Sequence, residues 1–197
     1  FFHDWAGRQF GPSAAPEIAV MMQHYFALNF QRRPEHLQWW LPHQRVQPTA
    51  LTPEEIEVRL ATFAKLVGKV EQLAGRIDER QRDAFFELVD YPVRGSALAN
   101  ERYFHTEEYT RLFNRDPAAA REHGAHARRA DRELAALTTH YNEAVADGKW
   151  RHFMAVEPAD GMWRSYRLTP PILPAENMVA PALRPEGSGV DGGESPH

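Results

Sequence analysis

An all-α fold, an antiparallel helical bundle with an irregular aromatic-rich C-terminal extension, is what this sequence predicts. Apolar residues recur at three- and four-residue steps through long stretches, the signature of a helix with one buried face. Two of those stretches open on a cap-plus-proline signal, Thr52-Pro53 and Asp116-Pro117. No segment alternates apolar and polar residues between turn signals, so a sheet has no obvious source.

The first element expected is a short helix over Asp4 to Phe10, stopped by Gly11-Pro12, where glycine can turn left-handed and proline blocks continuation. The next begins near Ser13 with Pro16 in its first turn and buries Ile18, Met21, Tyr25 and Leu28, ending before Pro34. From His36 to Leu51 the prolines and the Trp39-Trp40-Leu41-Pro42 run make an irregular but packed connection, because adjacent tryptophans are costly to leave in water. Thr52 caps the third helix, with Glu55 completing a capping box. Its seam is Ile56, Leu60, Phe63, Val67, Val70 and Ala74, and Gly75 closes it.

Asp78 and Gln81 announce another cap, and Ala84, Phe85, Leu88 and Val89 form the apolar face up to Tyr91-Pro92. Pro92 is expected to kink or end that helix, and the small residues Gly95, Ser96, Ala97 and Ala99 permit close approach to a neighbour. The last long helix starts at Asp116-Pro117, carries Ala127, Ala130, Leu134, Leu137, Tyr141 and Val145, and runs to a Gly148-Lys149-Trp150 turn. Beyond it Met154, Trp163, Tyr166 and Pro170-Pro171 read as an extension laid across the bundle. The helical domain is expected over residues 1–174, and the Pro/Gly-rich stretch 175–197 as a linker or tail, because it holds too little apolar surface to offset chain entropy.

With 197 residues, 43% hydrophobic and 25% charged, the chain is expected to be a soluble protein with one main core. A formal net charge of -4 gives no footprint for nucleic acid. Charges interrupt every apolar run, so no membrane span is expected. The absence of cysteine excludes disulfides, thiolate metal sites and a cysteine nucleophile, and leaves the compartment open. Phe1-Phe2-His3-Asp4-Trp5 lacks the features of a signal peptide, and the chain reads as starting within a longer protein.

The chemistry-bearing residues give little. Before the Pro/Gly-rich stretch no glutamate is followed three places later by histidine, as a di-iron bundle needs on its helices. The pair Glu194 and His197 falls within that stretch, and His-Glu-x-x-His is absent. His123 and His126 share a helix face among Arg121, Glu122, Arg128 and Arg129 and read as a solvated polar surface. Glu54, Glu55, Asp78, Glu79 and Asp116 sit in helix first turns, and Glu122, Asp131 and Glu133 sit among arginines. Capping and salt bridges account for them. There is no nucleophile elbow, dinucleotide-binding turn or phosphate-binding loop. Aromatic residues remain: Trp39, Trp40 and Trp163 lie outside regular helices and are candidate carbohydrate contacts.

Three stretches together resemble the helical domain that follows the catalytic barrel in glycoside hydrolase family 115, the xylan α-1,2-glucuronidases. They are Trp5-Ala6-Gly7-Arg8-Gln9-Phe10-Gly11 with the Ala15-Pro16-Glu17-Ile18-Ala19 and Arg33-Pro34-Glu35 series, then Arg82 to Val89 with Tyr91-Pro92-Val93, Ser96, Ala97 and Asn100, and then Gly148-Lys149-Trp150 with His152, Met154 and Pro170-Pro171. After Met154 the family runs through a polar stretch into Gly-Tyr and Tyr-Trp pairs, where this chain has Ala155 to Trp163, which implies a divergent subfamily. The resemblance implies a parent enzyme, secreted or periplasmic, that removes glucuronic acid or its 4-O-methyl form from glucuronoxylan by inverting hydrolysis, without a cofactor or metal. It implies catalytic carboxylates in a preceding barrel and none in this chain, a homodimer, and Trp150 and His152 at a turn facing the barrel. The alternative is a non-catalytic carbohydrate-binding or dimerisation module.

Overall fold

The computed structural model describes residues 1–33, 37 and 51–154. The described residues are helical, with α1 at Phe2–Phe10, α2 at Ala15–Gln31, α3 at Pro53–Ala74, α4 at Arg82–Phe85, α5 at Tyr91–Leu112 and α6 at Pro117–Glu143. No strand occurs among them. The all-α bundle expected from the sequence is therefore the observed fold. Among these residues no helix is long and apolar enough to cross a membrane.

Local chemistry sets the helix starts. Thr52 Oγ1 accepts the Glu55 amide at 3.2 Å while Glu55 Oε2 accepts the Thr52 amide at 2.8 Å, so two donors at the helix start are satisfied reciprocally. Asp116 accepts from the amides of Ala118 and Ala119 ahead of α6, and Asp78 accepts from Arg80 at the short 3-10 turn Glu79–Gln81. Those carboxylates are caps, as their spacing predicted.

The main core lies where α1, α2, α3, α4 and the start of α5 meet. Ala6, Phe10, Ile18, Met21, Phe63, Leu66, Val70, Leu73, Phe85, Val89 and Val93 are buried there. Phe10 sits edge-on to Phe85 at 5.6 Å, a geometry that aromatic quadrupoles favour. Burying Phe63 and Leu66 contributes roughly 1.5–3 kcal/mol each. The seam expected on α3 needs correction: the buried line is Arg59, Phe63, Leu66, Val70 and Leu73. Ile56, Leu60, Val67 and Ala74 flank it as half-buried residues. The stripe is broad because α3 meets α2 on one side and α5 on the other.

Pro92 neither ends nor breaks its helix. Phe86–Asp90 forms a π turn that joins α4 to α5, with the Tyr91 amide donating to Phe86 O. A proline lacks the amide that an α-helix would use at that point and crowds the carbonyl four residues back, and a widened turn just before it relieves both. α5 then continues to Leu112 and reverses through Phe113–Asp116 into α6. The two form an antiparallel hairpin, tied by Arg102 to Asp131 at 3.0 Å and Arg129 to Glu101 at 3.2 Å. The expected end of the helical domain at residue 174 and the 175–197 tail lie outside the described residues.

Candidate functional site

The α6 terminal turn is the first candidate. The sequence places the helix end at Gly148, but α6 stops at Glu143. The correction has a backbone cause: Ala146 (φ 50, ψ 46) and Asp147 (φ 54, ψ 35) are left-handed, and Gly148 follows at φ 76. Left-handed backbone costs a non-glycine residue roughly 1–2 kcal/mol, so Ala146 and Asp147 in succession persist only under external restraint.

Two side chains supply that restraint. Asp83 Oδ2 accepts the Ala146 amide at 2.9 Å from α4. Asn142 brackets the far end, donating Nδ2 to Met154 O at 2.8 Å and accepting the Met154 amide at 2.9 Å. Gly148 is required twice over, by its φ and because a Cβ would stand 3.1 Å from Glu143 O.

This turn presents an aromatic surface. Trp150 is half-buried with its ring 5.4 Å from Phe153, and Phe153 is 65% exposed. Lys149 Nζ lies 4.6 Å from the Trp150 ring centroid, a cation–π contact. Behind them Phe153 stacks on Tyr141, which touches Tyr91 and Phe86. Trp150 Nε1 is buried without a hydrogen-bond partner, and such donors are normally paired. His152 is exposed with φ 65. Of the expected aromatic contacts, Trp150 thus gains Phe153 as a neighbour that sequence reading missed. Trp39, Trp40 and Trp163 lie outside the described residues.

A second cluster corrects the reading of His123 and His126. They are half-buried, not a solvated face, and meet His105 of α5. His105 Nδ1 lies 2.9 Å from His123 Nδ1, and the His105 and His126 rings stack at 4.7 Å with 18° between planes. Burial first, then His126, His123 and Arg129, push the His105 imidazole down to about 4. The signal was present in the sequence, since His105 falls in the stretch after Pro92 and becomes visible as a partner once that stretch is read as helix. Among the described residues, no group of three or more His, Cys, Asp or Glu is arranged to hold a metal ion.

Arg59 is the third feature. It is 2% exposed, donating to Asn100 Oδ1 at 2.6 Å, Leu28 O at 2.8 Å and Arg32 O at 2.9 Å. A cation set on the last carbonyls of α2 complements that helix's dipole. Burial, with nearby Arg32, lowers its pKa to about 10, so it is charged at neutral pH. Between α3, α5 and α6 runs a groove of 540 Å³ lined by Ala64, Gly68, Ala97 and Ala136 together with Glu71, Arg94, Glu101 and Glu133.

In comparison with known proteins, no family model matches the chain. No curated protein matches it either.

Proposed function

We propose that this chain is the non-catalytic helical domain of a larger hydrolase similar to the family 115 xylan α-1,2-glucuronidases, packing against a catalytic barrel supplied by the same parent protein. The observation that supports this reading is an aromatic face exposed among the described residues. Phe2 stacks on Phe26 at 5.3 Å and meets Phe1 edge-on at 5.3 Å, and Phe30 follows Phe26 one helical turn along. Phe1 and Phe30 are each 91% exposed. Contiguous exposed aromatic surface is what a chain presents where another polypeptide covers it. The resemblance in the Trp5, Phe85 and Trp150 stretches points to the same kind of parent.

The parent would release glucuronic or 4-O-methylglucuronic acid from glucuronoxylan, with its carboxylates in the barrel, and would form a homodimer. Incubating this chain alone with glucuronoxylan should release no uronic acid, and measurable turnover would remove the claim that catalysis lies elsewhere. Co-expressed with the preceding segment of its reading frame, the chain should co-purify with it. Phe26→Glu and Phe30→Glu should break that association.

One observation favours carbohydrate contact as a second reading. Trp150 and Phe153 present ring surface beside the Lys149 ammonium, a pairing suited to a sugar ring bearing a carboxylate. Glucuronoxylan should then quench tryptophan fluorescence, and Trp150→Ala should remove the effect. Neutral xylan should act more weakly, since it offers nothing to Lys149.

A further inference from the structure

We propose that His105, His123 and His126 form an acid-sensitive latch that holds the tip of the α5–α6 hairpin closed at neutral pH and releases it when the cluster takes up a second proton. The cluster lies about two helical turns from the reversal at Phe113–Asp116. It joins two elements otherwise tied deeper in the hairpin by Arg102 and Asp131. Its state therefore bears on the tip and not on the whole bundle.

The logic follows from the contact between two Nδ1 atoms at 2.9 Å. With both imidazoles neutral, one carries hydrogen on Nδ1 and donates to the bare Nδ1 of the other. One added proton leaves the bond intact, because an imidazolium still donates to a neutral ring. A second proton puts N–H groups on both facing nitrogens, so the acceptor is lost and two like charges stand at hydrogen-bonding distance. The His126 ring stacked on His105 at 4.7 Å adds a third site where charge opposes the packing.

The charged groups bearing on His105 are His126, His123 and Arg129 of α6 and Glu108 of α5. The Glu108 carboxylate is held by Arg111 and so is not free to close on the imidazolium as counter-ion, while the Arg129 cation, paired with Glu101, opposes the charge on His105. The folded-state value of about 4 for His105 lies below its ordinary 6.5. In that case the unfolded or opened chain binds more protons between the two values. Stability of the tip is complete above about pH 6.5 and is lost as pH falls toward 4.

Hydrogen exchange on the 197-residue chain, corrected for the intrinsic pH dependence of exchange, tests this. Between pH 7 and pH 5, protection of the amides flanking the reversal should drop about tenfold more than that of the α3 amides around Val70. His123→Gln keeps a hydrogen-bonding group that can accept from protonated His105 or donate to neutral His105. It should reduce that extra loss, and His105→Gln, which removes the buried imidazole itself, should remove most of it. Equal pH responses at the tip and at Val70 in the wild-type chain would overturn the latch. So would an unchanged tip response in both glutamine variants.

Discussion

At Arg59 a charge is buried without a carboxylate, and its three acceptors come from an asparagine and two carbonyls near the end of α2. Arg59→Met would fill the volume but leave Asn100 and the Arg32 carbonyl without their donor. The expected loss is about 3–5 kcal/mol in urea unfolding at pH 7. Arg59→Lys should recover little of it, because a point-charge ammonium cannot span three acceptors held in a guanidinium's plane. Gly148 makes the opposite kind of demand. Gly148→Ala should cost about 1–2 kcal/mol by thermal unfolding, from its left-handed backbone and the approach to Glu143 O. Ala146→Gly, one step from the same strain, should stabilise by about 0.5–1 kcal/mol. Gly148 was legible in the sequence as a turn glycine, although the helix it was expected to stop ends earlier, at Glu143. Arg59 was not, because an arginine one residue from an apolar seam reads as surface until the helix end it satisfies is known.

Among the elements, the capped helices were the legible part. Thr52 and Asp116 fulfil their roles in the structure because capping is decided within four residues of chain. Thr52→Ala should cost about 1 kcal/mol, read as a lowered denaturation midpoint with an unchanged denaturant slope. The α6 terminus was misplaced by five residues (Glu143 against Gly148) since its stop depends on Asp83, which is distant in sequence and bonds the Ala146 amide. Asp83→Ala should loosen the turn and raise exchange at Ala146, while leaving Leu134 protected. The histidine cluster was missed for a related reason: local composition shows arginines around His123 and His126, and only the hairpin brings His105 across.

For the whole molecule, the Phe1, Phe26 and Phe30 face exposed among the described residues bears on association of the isolated chain. The isolated chain should self-associate with rising concentration by sedimentation, and Phe30→Glu should return it toward monomer. The bundle itself followed from periodicity, whereas this face could not, because the same phenylalanine spacing serves equally for a core. One feature ties the two halves of the bundle together. Phe85, Val89, Val93 and Ala97 all enter the main core at successive four-residue steps. In a plain α-helix each such step overshoots by about 40°, so three steps would swing the last residue about 120° away. The extra residue in the π turn at Phe86–Asp90 takes back about 100° of that. It acts as a phase correction, keeping the first half of the helix in step with the second. Loss of a single codon there, for instance that of half-exposed Leu88, would leave every remaining side chain chemically intact. The π turn would absorb that loss by straightening into plain α-helix, because the residue and the 100° it carries leave together and Val93 and Asn100 keep their facing. The same loss within plain α5 would turn Asn100 about 100° away from Arg59.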